Sequence, residues 1–182
     1  MNRQSDSGII LDIASLGEGV EQRSIEVAPA ALDLEWPGTR FEHPFTVALE
    51  IVRMGDNLQI DGRFRGRIDA TCDRCLRTVE TTVSGSLRVL GRRGDASTHE
   101  LGDQDGVLFH EGHQLDLTGE VRQAILLELP MRHLCSASCR GLCPHCGIDL
   151  NQEQCDCAEQ VIDPRWQALA ARRPVRRTPD DG

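Results

Sequence analysis

Residues 58–69 read Leu-Gln-Ile-Asp-Gly-Arg-Phe-Arg-Gly-Arg-Ile-Asp. Apolar side chains take even positions in this stretch and polar or charged side chains take odd ones. The even set is Leu58, Ile60, Phe64 and Ile68, and the odd set is Gln59, Asp61, Arg63, Arg65, Arg67 and Asp69. Because successive side chains of a β-strand point to opposite faces, the alternation predicts a strand with one buried face and one charged face.

Two further strands are predicted on either side. The first carries Phe45, Val47, Leu49 and Ile51, and the second carries Val79, Thr81, Val83, Leu87 and Val89. Residues 54–57, Met-Gly-Asp-Asn, have strong turn chemistry, and the other connection contains Cys72-Asp73-Arg74-Cys75. The pattern therefore predicts an antiparallel meander with a cysteine knuckle at one hairpin.

After the predicted strands, the sequence has apolar residues at helical spacing. The apolar residues concerned are Leu117, Val121, Ala124, Ile125 and Leu129, with Asp116 as the expected N-cap and Pro130 as the end. A second helix is predicted to begin at Asp163-Pro164. Aromatic residues make up only 3 % of the chain, so Val, Ile and Leu must build the core.

These elements predict an α+β fold, in which an antiparallel β meander or barrel-like sheet is covered by one or two helices and followed by a C-terminal zinc-knuckle segment. We divide the chain into a β-rich body with its covering helix and first CxxC knuckle (1–131), a cysteine-rich zinc-binding segment with a short helix (132–172) and a disordered basic tail (173–182).

The eight cysteines have metal-site spacing. They are Cys72, Cys75, Cys135, Cys139, Cys143, Cys146, Cys155 and Cys157. Zinc prefers four thiolate or imidazole ligands in a tetrahedron, and a CxxC turn lets two sulfurs reach one ion. The sequence shows no signal peptide and no apolar run long enough to span a membrane, so we expect a cytoplasmic protein with reduced thiols, which favours zinc over disulfides.

The charges are segregated along the chain, whose net charge is −9. The stretch from Arg53 to Arg93 is locally basic, whereas Asp95 to Glu128 is acidic and is interpreted as a solvated loop. On the predicted strand, Arg63, Arg65 and Arg67 would project from one face at intervals of about 7 Å, close to the phosphate spacing of a nucleic acid. The alternative is an ordinary solvent face on which Asp61 and Asp69 are ion-pair partners of the arginines.

Several motifs follow one another in a specific order. They are Cys72-Asp73-Arg74-Cys75-Leu76 in the meander, the helix between Leu115-Asp116-Leu117 and Leu129-Pro130-Met131, the run 139–147 (Cys-Arg-Gly-Leu-Cys-Pro-His-Cys-Gly), Leu150-Asn151 and Cys155-Asp156-Cys157. Together they resemble the YceD family over roughly residues 9–172. The resemblance implies a part in accumulation of the 23S ribosomal RNA, and the later cysteine cluster resembles an extension that some members lack.

Two zinc sites are predicted. One uses Cys143, Cys146, Cys155 and Cys157, because the chain between the two pairs is long enough to form a small closed loop. By elimination the other uses Cys72, Cys75, Cys135 and Cys139. A single site that joins Cys72 and Cys75 to Cys143 and Cys146 is the alternative, and His133 and His145 are candidate substitute ligands.

The expected function is a non-enzymatic, zinc-binding factor of large-subunit biogenesis, because a four-thiolate site is closed to a catalytic water. The candidate RNA-binding residues are Arg63, Arg65, Arg67, Arg74 and Arg77. The partners would be ribosomal RNA or a pre-50S particle, or a basic large-subunit ribosomal protein held by the acidic segment from Asp95 to Glu128. The alternatives are a dithiol redox protein that uses Cys72 and Cys75, and a zinc-dependent DNA-binding regulator.

Overall fold

The computed structural model describes residues 8–94, 106–110, 112–157 and residue 165. Its elements are β1 (Ile10–Asp12), β2 (Gly19–Val27), β3 (Thr39–Arg40), β4 (Phe45–Met54), β5 (Asn57–Thr71), β6 (Thr78–Arg93), β7 (Val107–His110), β8 (Gln114–Asp116) and α1 (Thr118–Leu127), with short 3₁₀ helices at Ile13–Ser15 and Pro29–Leu32. The chain divides into two compact units, Met1–Gly141 and Leu142–Gly182.

The first unit is built on a six-stranded sheet. Five strands lie in the order β2-β4-β5-β6-β7, and β3 pairs with β5 beyond this path. The pairs are antiparallel except for β6 with β7, which is parallel, and β1 and β8 form a separate two-stranded sheet. The predicted class of a sheet covered by a helix is confirmed. Among the described strands the sheet is open and mixed rather than a closed barrel.

The three strands predicted from the alternation are present as β4, β5 and β6. The β5–β6 pair runs without interruption from Asn57 opposite Arg92 to Thr71 opposite Thr78. The turn between β4 and β5 contains Gly55, whose φ of 61° is the left-handed conformation that glycine adopts without steric cost.

The core lies between one face of the sheet and α1. The four apolar residues of β5 named by the alternation are buried, as are Leu117, Val121 and Ile125 of the helix region, and all seven belong to one hydrophobic cluster. The helix begins at Thr118, whose N–H donates to the Asp116 carboxylate at 2.8 Å. Leu117 therefore occupies the cap position predicted for Asp116, which still satisfies a free N–H at the helix start.

The acidic segment from Asp95 to Glu128 is only partly described. Its interpretation as a solvated loop is wrong for Val107–His110 and Gln114–Asp116, which are strands β7 and β8. The helix predicted at Asp163-Pro164 and the tail 173–182 lie outside the described residues, and the domain boundary after residue 131 stays a prediction. No helix in the described ranges has the length and apolar character needed to cross a bilayer.

Glycines on the core face of β5 allow large side chains to lie directly against the strand. A Cβ at Gly66 would overlap the ring of Phe45, which is fully buried. A Cβ at Gly62 would lie 2.9 Å from the side chain of Leu87 on the neighbouring strand. The sheet therefore has no room for side chains at these two positions.

Gly66→Ala is expected to lower the free energy of unfolding by about 1–3 kcal/mol, because the new methyl group displaces Phe45 from a packed core. The matched control is Gly17→Ala, where a Cβ meets nothing within 4 Å and where the change should stay within about 0.5 kcal/mol. Urea unfolding of both variants checks this. Equal midpoints for the two would contradict the close approach of Phe45 to β5.

Candidate metal centres

The first cysteine group, tetrad 1, lies at the end of the β5–β6 hairpin. Cys72 and Cys75 belong to the turn between the strands, and Cys135 and Cys139 belong to the segment that follows α1. The Sγ atoms of Cys72 and Cys139 are 3.9 Å apart, and those of Cys75 and Cys135 are 3.6 Å apart. All four sulfurs lie within 4.8 Å of one another.

These distances fit a tetrahedral metal site. With metal–sulfur bonds of about 2.3 Å, neighbouring sulfurs of a tetrahedron are about 3.8 Å apart. A disulfide would need about 2.05 Å, and all eight cysteines are free thiols. The sulfur positions of tetrad 1 therefore have the spacing of metal ligands, not of oxidised pairs.

Backbone hydrogen bonds shape the turn that carries the first two ligands. The N–H of Cys72 donates to the carbonyl of Arg77 at 2.8 Å, and the N–H of Leu76 donates to the carbonyl of Cys72 at 2.9 Å. Leu76 has a φ of 60°, a left-handed conformation that costs a non-glycine residue about 1–2 kcal/mol. The closed turn directs both sulfurs to one side.

Asp73 joins this turn to the segment that carries the other two ligands. Its N–H donates to the carbonyl of His133 at 2.8 Å, and its carboxylate accepts from the N–H of His133 at 2.9 Å. This pair of bonds fixes the approach of residue 135 to the hairpin. A position far along the chain is thereby held beside Cys72 and Cys75.

Two arginines support tetrad 1. Arg74 Nη1 donates to the carbonyl of Cys139 at 2.7 Å, whereas Arg77 donates to the sulfurs of Cys75 at 3.4 Å and Cys135 at 3.6 Å. The Arg77 guanidinium lowers the pKa of the Cys75 thiol because it stabilises the thiolate. Positive charge next to the sulfurs favours the deprotonated form that metals bind.

The thiol pKa values within tetrad 1 diverge. The pKa of Cys72 falls to about 6, because the Cys75 backbone N–H donates to its sulfur. The pKa of Cys135 rises to about 12, first because of its contact with the Cys139 side chain. Four thiolates this close repel one another, so full deprotonation requires a cation among them.

The second cysteine group, tetrad 2, lies in the second unit. It consists of Cys143, Cys146, Cys155 and Cys157, whose sulfurs again lie within 4.8 Å of one another. The N–H of Cys143 donates to the carbonyl of Ile148 at 2.8 Å, and the N–H of Gly147 donates to the carbonyl of Cys143 at 2.9 Å. Gly147 has a φ of 75°. The turn repeats the hydrogen bonds of the first knuckle, with glycine at the position that Leu76 takes there.

The two tetrads differ in burial. Cys72, Cys75 and Cys139 are at most 4 % exposed, whereas Cys146 and Cys157 are exposed and only Cys143 is buried in tetrad 2. In the described part of the second unit no other apolar side chain is buried. Because the described part of this unit has no apolar core, it would depend for stability on a metal held by tetrad 2, which is also the more accessible of the two tetrads.

The structure brings all eight predicted ligands into two groups of four. Cys72 and Cys75 are grouped with Cys135 and Cys139, not with Cys143 and Cys146. Neither of the candidate substitute ligands belongs to a group: His145 is exposed, and His133 is buried with no hydrogen-bond partner for its ring nitrogens among the described residues.

The predicted RNA-binding arginines fall into two places. Arg74 and Arg77 flank tetrad 1, whereas Arg63, Arg65 and Arg67 are exposed on the sheet face opposite the core, which we call the outer face. The outer face consists of the odd-numbered residues of β5 and their partners on β4 and β6. The structure thus gives two groups of arginines and not a single site.

Ion pairing divides the arginines of the outer face further. Asp61 pairs with Arg88 at 2.6 Å, and Arg67 is 3.4 Å from Glu80. Gln59 and Arg88 both donate to Asp61 and lower its pKa. Among the described residues Arg63 and Arg65 have no ion pair. The alternative interpretation of the sequence made Asp61 an ion-pair partner of the β5 arginines, but Asp61 pairs with Arg88 of β6.

The sequence did not single out the neighbours of these arginines. Arg63 lies in one row with three small residues of adjacent strands, Ser24, Ala48 and Ser86. They line a groove of about 880 Å³ together with Arg88. The groove depends on the register of four strands, which cannot be predicted from the sequence of any one of them.

Comparison with known proteins adds the family. Residues 60–171 match the family model described as large ribosomal RNA subunit accumulation protein YceD. The chain belongs to the YceD family. Both tetrads and all five candidate RNA-binding arginines lie within the matched span. The family description concerns accumulation of the large ribosomal RNA subunit.

Relatives extend the YceD match to most of the chain. An uncharacterised protein of Mycobacterium tuberculosis strain H37Rv is 30 % identical over 171 residues, 92 % of this chain and 82 % of its own length. A similar protein of Mycobacterium leprae is 26 % identical over 171 residues, 90 % of this chain and 76 % of its own. A chloroplastic YCED homolog 1 of Arabidopsis thaliana, named as a large ribosomal RNA subunit accumulation protein, is 22 % identical over 69 % of this chain and 47 % of the plant protein. No solved structure gives a significant match.

We predict two bound metal ions per chain and unequal loss of these ions to a chelator. The ion of tetrad 2 should leave first, because two of its sulfurs are exposed, whereas that of tetrad 1 is shielded. Native mass spectrometry during chelation measures both steps. Cys155→Ser should remove the fast step and Cys72→Ser the slow one; a single ion in the intact chain, or loss at one common rate, would contradict the assignment.

Proposed function

We propose that this chain is a non-enzymatic, zinc-stabilised factor that promotes accumulation of 23S ribosomal RNA and that contacts RNA through the outer face of its sheet. The family description supports the pathway. One observation supports the contact: Arg63 and Arg65 are exposed on β5 and have no ion pair in the described part of the chain. Their charge is therefore available to an external anion.

The surroundings of these arginines favour a phosphate backbone as the ligand. Side chains two apart on a strand are about 7 Å from each other, which is near the spacing of successive phosphates. The neighbours opposite Arg65 are Thr46 and Ser84, both short hydroxyl side chains that leave the guanidinium accessible and can donate to phosphate oxygens. No aromatic residue lies on the described part of this face, so base stacking has no platform here.

Zinc is the metal we propose for both tetrads. Four thiolates form a soft ligand set, and tetrahedral sulfur sites favour zinc or iron–sulfur clusters. Such a site leaves no position for water, which supports a structural role and not catalysis. Cys72 and Cys75 belong to the same group of four sulfurs, which supports a zinc site over a redox-active pair of thiols. Retention of the reduced ligands requires a reducing compartment, for which we propose the cytoplasm.

The arginine contact is tested with a double variant, Arg63→Gln with Arg65→Gln. We expect weaker binding to large-subunit ribosomal RNA and a slope of log Kobs against log salt that is smaller by about two, because each lost phosphate contact removes about one. The matched control is Arg93→Gln with Arg122→Gln, which removes equal charge from arginines that pair with Asp56 and Asp33.

Equal RNA affinity in both double variants would refute the outer-face contact. The wider proposal is tested by purification of the zinc-loaded protein from lysate at low salt, with and without RNase. Ribosomal RNA and precursor particles that disappear after RNase support an RNA contact. A basic ribosomal protein that stays bound after RNase would place the interaction in the acidic segment instead.

A further inference from the structure

The two CxxC knuckles form the same turn but place different residues at its left-handed position. In each knuckle, the N–H of the first cysteine donates to the carbonyl of the residue two positions after the second cysteine. The residue directly after the second cysteine adopts a left-handed backbone conformation. Gly147 takes that position in one knuckle without steric cost, whereas Leu76 takes it in the other. Leucine is therefore a strained choice where glycine satisfies the same hydrogen bonds.

The Leu76 backbone is held by its hydrogen bond to Cys72, but the Leu76 side chain gains little from the fold. Its side chain is 64 % exposed, and it does not belong to the hydrophobic core. Strained residues persist only where the surrounding structure fixes them, and they cluster at active sites and ligand contacts. An exposed leucine at the tip of a rigid turn has the form of such a contact.

The exposed charge around the tip is positive, which favours an anionic partner. Arg74 and Arg77 flank Leu76 in sequence, and both are exposed. Their guanidiniums are held in place by the carbonyl of Cys139 and by the sulfurs of Cys75 and Cys135. Arg140 is also exposed, and Gly141 lies against the backbone of Arg74, with its Cβ position 3.0 Å from the Arg74 carbonyl.

We propose that Leu76 forms the apolar centre of an arginine-bordered tip that binds an unpaired nucleotide of RNA. The guanidiniums would contact phosphate oxygens while the leucine covers the face of a base that is free of its partner strand. A fully paired duplex hides its base faces and offers nothing to Leu76. The inference rests on the proposed RNA contact and adds a second element to it, with preference for unpaired RNA.

Three substitutions separate strain from contact. Leu76→Gly and Leu76→Asn both suit a left-handed backbone, and both remove the apolar side chain. Leu76→Met keeps an apolar side chain of similar volume in the same strained position. If the side chain serves only the fold, all three variants should bind RNA like the parent chain.

The probes are a hairpin RNA with an unpaired loop and the same stem extended into a fully paired duplex. We expect Leu76→Gly and Leu76→Asn to bind the hairpin about fivefold to tenfold more weakly, with metal content unchanged and unfolding temperature no lower than that of the parent. Leu76→Met should bind within about twofold of the parent chain. None of the three should alter affinity for the duplex.

Unchanged hairpin affinity in Leu76→Gly would overturn the inference, and so would an equal loss for hairpin and duplex. The Arg63→Gln, Arg65→Gln variant is measured in parallel. If it loses RNA while Leu76→Gly does not, the inference falls and the proposed function stands; if the parent chain binds neither RNA, the proposed function fails. Loss of a bound ribosomal protein without loss of RNA would assign the tip to a protein partner and refute the RNA contact.

Discussion

The turn end of the β5–β6 hairpin is organised around the four adjacent sulfurs of tetrad 1, which can all be deprotonated only with a cation among them. Its four sulfurs come from two segments that are more than fifty residues apart, and their spacing of 3.6 and 3.9 Å suits a common ligand sphere and no disulfide. The reciprocal bonds between Asp73 and His133 bring the segments together, and Arg77 offsets part of the sulfur charge. Coordination of a metal ion would here make a tertiary connection that an apolar core usually supplies.

The strict alternation of β5 has a separate consequence for function. Its even-numbered apolar residues pack in the core, so its odd-numbered residues lie on the outer face. The chain has a net charge of −9, yet this face presents Arg63 and Arg65 without ion pairs in the described part of the chain. Local charge, not the total, governs contacts at this face, because screening confines the influence of distant acids to about 8–10 Å at moderate salt.

The sequence was sufficient for β4, β5, β6, the helix and the membership of the two cysteine groups. It did not reveal β2, whose positions paired with buried Leu49 and Ile51 carry Arg23 and Glu21. Those two side chains form an ion pair at 2.7 Å, so the strand tolerates charge where the pattern demands apolar residues. β7 was missed for a related reason: it pairs in parallel with β6, so no hairpin turn announces it, and it lies in a stretch of the sequence whose acidic residues suggested a loop. Neither solution is local, and periodicity reports only local structure.

The two knuckles show how far a short motif determines the role of a site. The CxxC spacing produces the same turn in both, with matching hydrogen bonds and a left-handed residue after the second cysteine. The surroundings differ, because the first turn is fixed between long paired strands and buries both of its cysteines, whereas the second belongs to a unit whose described part buries little besides Cys143. A metal at the first tetrad would complete a unit that already has an apolar core, whereas a metal at the second would stabilise a unit whose described part has none. The same ligand chemistry would therefore fix the turn that carries exposed arginines in one unit and supply the main source of stability in the described part of the other.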